Sequence, residues 1–159
     1  YLAMNHADVP GGAIGVAVAD HPAGPFHDAI GGALVTDDQP FATVGEQGRF
    51  DHTNDPWVLV HDGRARLYWG KHRCFTAPLD DTMTALAGPI TEIELPGFQE
   101  GVHVHERDGW FYLAYGYRHP QRVAYARSRD PEGPWTVEGI LNEVPGNCAT
   151  NRPCIVEFG

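Results

Sequence analysis

One stretch of this sequence occurs twice, and that repetition constrains the fold more than any other feature. Residues 55–70 resemble residues 100–116, with the Asp-Gly pair at 62–63 matching the pair at 108–109, 46 positions later. Extended along the chain, the pattern places glycines at 63, 109 and 159, a period of 46 to 50 residues. Repeats of this length are typical of propeller blades or of arrays of stacked units.

The repeated units read as β-sheets. Their apolar residues form short runs rich in Val, Ile, Tyr, Phe and Trp, bounded by Gly, Pro and Asp, and none keeps a helical spacing. The run 58–61, the turn Asp62-Gly63 and the run 65–69 predict a hairpin, because Asp-Gly accommodates the positive φ angles of two-residue turns. A second repeated segment, 19–26 and 128–135, ends each time in Gly-Pro and an aromatic residue. About four strands per unit predict an all-β fold made of β-propeller blades.

The repeat also predicts how the chain divides. We expect the end of one blade at 1–30, full blades at 53–98 and 99–147, and the start of another at 148–159, with 31–52 as an inter-blade loop. The units are cut at both ends, so we expect a fragment of one propeller domain that covers about three blades. An open propeller exposes sheet edges and apolar faces, and we predict that this piece alone is inactive and poorly soluble.

Composition limits the partners of the protein. Lys and Arg total 11 against 21 Asp and Glu, a net charge of −10, which argues against a nucleic-acid surface and favours an uncharged partner. No apolar run approaches the eighteen residues of a membrane span, and the compartment stays undecided. Cys74, Cys148 and Cys154 lack paired metal-ligand spacing; they read as buried or incidental thiols, with a disulfide between Cys148 and Cys154 as the alternative.

Two carboxylates occupy nearly equivalent positions of successive units. Asp55 opens one predicted blade and Glu100 opens the next. The first strand of each blade lines the central channel of a propeller, so both side chains are expected to face one axial pocket. A carboxylate pair of this kind, one protonated and one ionised, suits glycoside hydrolysis. The alternative is that Asp55 only starts a turn before Pro56 and that Glu100 is a solvated residue before Gly101.

The sequence resembles glycoside hydrolase family 43 along its whole length. The resemblance lies in four segments that occur in the family's order: 14–26, 55–63 with 67–70, 100–101 with 109–113, and 123–128 with 131–135. It implies a five-bladed β-propeller that cleaves glycosidic bonds in arabinose- and xylose-containing glycans, acting on a carbohydrate substrate and not on nucleic acids or membranes.

The resemblance implies roles for the two carboxylates. Glu100, in its Glu-Gly context, matches the family's general acid, and Asp55, in its Asp-Pro context, matches an Asp that orients the acid. Like-charge repulsion from Asp55 is expected to raise the pKa of Glu100 toward working pH. The general base belongs to a strand before Tyr1, and Asp8 and Asp20 lie in the wrong part of the blade to replace it. An inverting mechanism follows, in which the base activates water opposite the acid.

The pocket lining is predicted less directly. Trp57 follows Asp55 on the channel strand and is the best candidate for stacking on a sugar, although aromatics in blades more often pack between sheets. His103 lies near Glu100 and is expected to line the pocket. Arg152 stands where the family frequently has His, which leaves open whether it binds a sugar hydroxyl or marks an altered form of the family's occasional central cation site. No cofactor is required, and the family's occasional central cation, Ca²⁺ or another, is left without named ligands.

Two other functions stay open at this point. One is a different five-bladed carbohydrate enzyme, such as a hydrolase acting on sucrose or fructan, or a mannoside phosphorylase. The other is a non-catalytic propeller that binds a sugar or a protein. The sugar and the linkage are not set by the sequence, because a shared scaffold supports several specificities.

Overall fold

Eleven strands form three antiparallel sheets in the described part of the chain. The structure is a computed structural model and describes residues 1–8, 11–37, 52–144, 146 and 149–156. The strands are β1 Leu2–Asn5, β2 Gly12–Val18, β3 His27–Thr36, β4 Trp57–His61, β5 Arg64–Lys71, β6 Arg73–Pro78, β7 Thr91–Ile93, β8 Phe98–Arg107, β9 Trp110–Tyr117, β10 Arg122–Ser128 and β11 Thr136–Asn142. Each sheet is a meander in chain order: β1 to β3, β4 to β7 and β8 to β11.

The repeated Asp-Gly pairs form the turns predicted from the sequence. Asp62 and Gly63 have φ angles of 48° and 71°, and His61 pairs with Arg64 across a two-residue loop. The Asp-Gly turn at 108–109 has φ angles of 53° and 72° and joins β8 to β9 in the same way. Both central residues of such a turn need positive φ, which Asp and Gly tolerate, so the hairpin prediction is confirmed.

The second sheet packs on a neighbour through each of its faces. Side chains alternate along β5, so Leu67 and Trp69 face the first sheet while Tyr68 faces the third. The first interface buries the following residues: Ile14, Val35, Leu67, Trp69, Phe75, Ala77 and Leu79. The second buries a larger set that includes Leu59, Tyr68, Val104, Leu113 and Tyr115. Sheets stacked face to face in chain order are the arrangement of propeller blades.

The first sheet extends further than its sequence predicts. The expected end of this blade at residue 30 and the loop from 31 are wrong, because β3 continues to Thr36. Ala33 pairs with Gly15 and Val35 with Ile14, across irregularities in the register. Phe98, assigned to the end of a blade, begins β8 instead. Residues 38–51 of the predicted loop lie outside the described residues, and 149–156 form no strand.

A buried carboxylate joins the first sheet to the start of the second. Asp37 is fully buried; its Oδ2 accepts a hydrogen bond from the Gly12 N–H at 2.6 Å, and its Oδ1 accepts one from the Thr53 N–H at 2.9 Å. A Cβ on Gly12 would lie 2.3 Å from the Thr53 hydroxyl, so only glycine fits there. Asp37 therefore fixes the backbone two residues ahead of Asp55.

The remaining predictions on cysteines and membranes are tested only in part. Cys74 is buried between the second and third sheets, where burial raises the pKa of its thiol far above the usual range. Cys154 is exposed, and Cys148 lies outside the described residues, so the alternative disulfide is untested. Among the residues described, no helix has the length and apolarity to cross a membrane.

Candidate active site

The starts of β4 and β8 bring Asp55 and Glu100 to one site. Asp55 lies two residues before β4, and Glu100 is the third residue of β8, on the neighbouring sheet. The guanidinium of Arg152 contacts both carboxylates. The expectation that successive units place these two side chains together agrees with this geometry. Neither is freely solvated, since Glu100 is only 7% exposed and the Asp55 side chain 18%.

The backbone around Glu100 is irregular in a way that aims its side chain. The register between β8 and β9 shifts on both sides of Glu100, between Phe98 and Glu100 and again between Glu100 and His103. Gly101 has a φ of +71°, a value that side chains other than glycine rarely adopt. Bulges of this kind bend a strand and redirect a side chain. The glycine that follows Glu100 in the sequence is therefore explained by the backbone conformation at residue 101.

Two side-chain amides hold the Glu100 carboxylate. The Nε2 of Gln121 donates to Oε1 at 2.9 Å, and the Nδ2 of Asn54 donates to Oε2 at 3.2 Å. Sequence reasoning missed both residues. Asn54 could have been suspected because it directly precedes Asp55, whereas Gln121 lies in the turn between β9 and β10 and carries no local signal.

Asp55 is half-buried and lies next to the charged groups of Arg152 and Glu100. Its Oδ1 pairs with Nη1 of Arg152, while its Oδ2 is buried without a hydrogen-bond partner among the described residues. Burial, above all, raises the pKa of Asp55, and the nearby Glu100 adds to the rise. The charge and hydrogen bond of Arg152 and the backbone N–H of Gly101 oppose it. Asp55 therefore takes up a proton more readily than an ordinary aspartate.

Arg152 is the one cation that touches both carboxylates in the described site. Besides its pair with Asp55, its Nη2 lies 3.3 Å from Oε1 of Glu100. Its stem fits over Gly101, where a Cβ would come within 3.2 Å of the Arg152 Cγ. Nearly half of the side chain is exposed, so it is also accessible to a ligand.

The turn residue Gln121 also anchors the segment that carries Arg152. Its backbone N–H donates to the Ala149 carbonyl at 3.0 Å, and its side-chain Oε1 accepts from the Asn151 N–H at 3.0 Å. The segment 149–152 is therefore tied to the same side chain that holds Glu100.

Trp57 and His103 pack against each other beside the carboxylates. Their ring centroids are 4.0 Å apart at 40°, and the Trp57 indole N–H donates to the Val104 carbonyl at 2.8 Å. His103 is only 2% exposed. Burial first and the neighbouring His105 second lower the pKa of His103, against a smaller opposing contribution from the Ile155 backbone. His103 is therefore neutral at neutral pH and lies behind the Trp57 ring.

The described part of the site offers no ready-made set of metal ligands. No group of three His, Cys, Asp or Glu side chains in the described residues is arranged to hold a metal. The guanidinium of Arg152 already lies on the two carboxylates, and it offers only hydrogen-bond donors. No metal ligand is therefore assigned. Asp8 and Asp20, which follow β1 and β2, are both exposed, and neither forms a hydrogen bond or ion pair with Glu100 among the described residues.

A polar cavity of about 390 Å³ opens beside Asn54, between the first and second sheets. The described residues that line it are Ala3, Met4, Asn5, Gly12, Thr53, Asn54 and Lys71. Asn54, which holds Glu100, is the residue that this space shares with the carboxylate site; Asp55 and Glu100 do not line it.

Comparison with known families decides the class of the protein. The sequence profile of glycosyl hydrolases family 43 matches residues 1–143, which is most of the chain. The chain belongs to glycosyl hydrolases family 43. The family resemblance noted in the sequence is thereby confirmed, and the three sheets are about three blades of its five-bladed β-propeller.

Relatives within family 43 cover much more sequence than this chain. An arabinoxylan arabinofuranohydrolase of Paenibacillus polymyxa is 33% identical over 85% of the chain, and one of Bacillus subtilis is 32% identical over 86%. The chain spans 24% and 31% of those two proteins. The structure of an α-L-arabinofuranosidase from Clostridium thermocellum superposes with a TM-score of 0.76 and 28% identity, over 94% of this chain and 51% of that one.

Proposed function

We propose that the protein containing these residues is a glycoside hydrolase that cleaves arabinose- or xylose-containing plant polysaccharides or oligosaccharides. Membership of family 43 and the arabinoxylan arabinofuranohydrolases among its relatives support this class of substrate. The observation that carries the proposal is the pair of half-buried Asp55 and buried Glu100, brought together from adjacent blades on the guanidinium of Arg152. A neutral, hydroxyl-rich substrate also suits a strongly acidic protein.

Glu100 acts as the general acid in this proposal. Its proton passes to the glycosidic oxygen as the bond from that oxygen to the anomeric carbon breaks, through an oxocarbenium-like transition state. A water molecule on the opposite face bonds to the anomeric carbon and gives its proton to a general base, which we place outside this chain. The product then has inverted configuration. Asp55 orients Glu100 and adds negative charge beside it.

The lining residues serve the sugar. Arg152 is half exposed and can donate to a sugar hydroxyl while it stays on the carboxylates. Trp57 is partly exposed, which leaves part of its ring for stacking, and His103 supports that ring from behind. The amides of Asn54 and Gln121 keep the acid in place between turnovers.

The test uses the full-length protein that contains these residues. Aryl α-L-arabinofuranosides and aryl β-D-xylosides with good and poor leaving groups are hydrolysed by the wild type and by Glu100→Gln. General acid catalysis contributes about 10²–10⁴-fold, so we expect a loss of that size on poor leaving groups and a much smaller loss on good ones. Glu94→Gln, an exposed position after β7, is the matched control and should keep full activity.

The outcome decides between the remaining functions. NMR of the first-formed product should show inversion at the anomeric carbon. Equal rates for Glu100→Gln and wild type on poor leaving groups would remove Glu100 from the mechanism. No hydrolysis of the aryl glycosides, of arabinan or of xylan would favour a sugar-binding propeller or an enzyme for another sugar.

A further inference from the structure

We propose that Gln121 is a positioning residue that decides which oxygen of Glu100 carries the transferable proton, and that it couples this choice to the placement of Arg152. The proposal rests on the proposed function, in which Glu100 is the general acid. Gln121 is 4% exposed and lies in the turn between β9 and β10.

The orientation of the Gln121 amide is fixed by its two partners. The Asn151 backbone N–H can only donate, so the oxygen of the amide must face it, at 3.0 Å. The nitrogen then faces Oε1 of Glu100 at 2.9 Å and donates to it. Gly116 makes room for this placement, since a Cβ there would lie 3.0 Å from the Gln121 Oε1. Gln121 is therefore a fixed donor toward Glu100.

A fixed donor makes the two oxygens of Glu100 unequal. Oε1 faces the Gln121 amide and also lies 3.3 Å from Nη2 of Arg152, so two donors point at it. Oε2 receives only the longer 3.2 Å contact from Asn54 among the described residues. A proton on Oε1 would point toward two N–H donors, those of Gln121 and Arg152, which is unfavourable. A proton on Oε2 would face only the one amide of Asn54. The acidic proton therefore resides on Oε2, the oxygen that faces Asn54.

The same residue sets the position of the cation. Gln121 binds the Ala149 carbonyl through its backbone and the Asn151 N–H through its side chain, and Arg152 follows directly. Arg152 and Asp55 are the charged groups that contact or adjoin Glu100 from other segments, and His103 follows on the same strand. A substitution at Gln121 should therefore disturb both Glu100 and Arg152.

Gln121→Glu separates the contact that Gln121 makes with Glu100 from the contact that it makes with the segment 149–152. The new carboxylate keeps an oxygen that accepts from Asn151, but it replaces the N–H donor toward Glu100 with another acidic oxygen. Two carboxylates at hydrogen-bond distance keep one shared proton up to a higher pH than a single carboxyl group does. We therefore expect the alkaline limb of the kcat/KM profile to move up by about one pH unit or more. We also expect kcat on poor leaving groups to fall about tenfold or more, with little change on good ones.

Two further variants keep the test decisive. Asn142→Asp adds the same charge at the exposed end of β11 and should leave the pH profile in place. Gln121→Met removes both side-chain hydrogen bonds without adding charge, and it serves if Gln121→Glu does not fold. It should lower kcat on poor leaving groups and move the alkaline limb up less than Gln121→Glu does, because the lost N–H donor favours the ionised carboxylate. A Gln121→Glu enzyme with the wild-type profile and rates would show that Gln121 only holds the segment 149–151, and would overturn the inference.

Failure of this inference is distinguishable from failure of the proposed function. If Glu100→Gln loses activity on poor leaving groups while Gln121→Glu behaves like wild type, only the role of Gln121 falls. If Glu100→Gln keeps its activity on poor leaving groups, the assignment of the acid falls, and the role of Gln121 falls with it.

Discussion

Nη2 of Arg152 lies 3.3 Å from Oε1 of Glu100, although the two residues belong to different parts of the repeat. The same guanidinium pairs with Asp55, so a positive charge stands on both carboxylates. The sequence predicts that Asp55 orients Glu100 and acts on it by like-charge repulsion. The structure adds a cation that offsets this repulsion, which makes Arg152 part of the balance that controls protonation in the site.

Replacing Arg152 should therefore change kcat and not only KM. Arg152→Ala leaves the buried Glu100 and the half-buried Asp55 without their shared cation, and we expect kcat to fall about tenfold or more. Arg152→Lys should recover part of the loss, because an ammonium is a point charge that cannot bind both carboxylates through a fork. Steady-state kinetics on good and poor leaving groups will measure both effects, with Arg107→Ala, an exposed position, as the control.

The kinetic pattern also separates two roles of Arg152. Loss of a uniform contact to a sugar hydroxyl raises KM and leaves kcat unchanged. Loss of a group that positions the carboxylates lowers kcat and alters the pH profile. A pure KM effect in Arg152→Ala would restrict Arg152 to substrate binding and would contradict our reading of its contacts.

Gly116 should be intolerant of a single methyl group. A Cβ at this position would lie 3.0 Å from both the Glu100 carbonyl oxygen and Oε1 of Gln121. Such contacts are shorter than van der Waals distance, so Gly116→Ala must displace the residues that hold the acid. We expect a loss of about 1–3 kcal/mol in the free energy of unfolding and a clear fall in kcat, measured by urea unfolding and kinetics.

Gly32 provides the matched control for that substitution. It also lies in a strand, and a Cβ there meets no atom within 4 Å. Gly32→Ala should therefore leave both stability and kcat near the wild-type values. If the two variants behave alike, the crowding around Gly116 has no functional importance.

The parts of this structure that follow a local rule could be read from the sequence. Asp62-Gly63 fixes a two-residue hairpin turn, and alternation along β5 fixes which residues face each neighbouring sheet. The part of β3 beyond residue 30 does not follow from the sequence, because Gly31-Gly32 is typical of a loop, whereas pairing with β2 continues the strand to Thr36. Tertiary pairing there overrides a weak local preference.

The supporting residues of the site could not be read in the same way. Asp55 and Glu100 stand out because the repeat places them at equivalent points. Gln121 contacts residues 21 positions before it and 30 positions after it, and no local pattern encodes either contact. The bulges beside Glu100 arise from β9 pairing and are equally invisible in one strand's sequence.

His103 should make the fold less stable on acidification. Burial and His105 lower its pKa in the folded state, so below the usual value of 6.5 the unfolded chain binds more protons than the folded one. The free energy of unfolding then falls as pH drops through that range, until the folded pKa is reached. His103→Gln should flatten this part of a Tm-against-pH curve between pH 8 and 5.

The slope of that curve, and not the absolute Tm, is the informative quantity. Glutamine at a buried site changes stability at every pH, which shifts the curve without tilting it. His27→Gln, at an exposed position on β3, should leave the slope unchanged. An unchanged slope in His103→Gln would mean that other groups dominate the acid side of the profile.

Trp57 should contribute to stability through its indole nitrogen. The hydrogen bond to the Val104 carbonyl is 2.8 Å long and joins β4 to β8 across two sheets. Trp57→Phe keeps an aromatic ring against His103 but leaves that carbonyl without its partner, so the free energy of unfolding should fall by about 1–3 kcal/mol. Because most of the stacking surface remains, KM should change little.

Trp110→Phe is the control, since that ring stacks on Arg129 at the surface, 3.6 Å from the guanidinium carbon. Urea unfolding and KM together decide the matter: a stable Trp57→Phe enzyme with a raised KM would make Trp57 mainly a sugar platform.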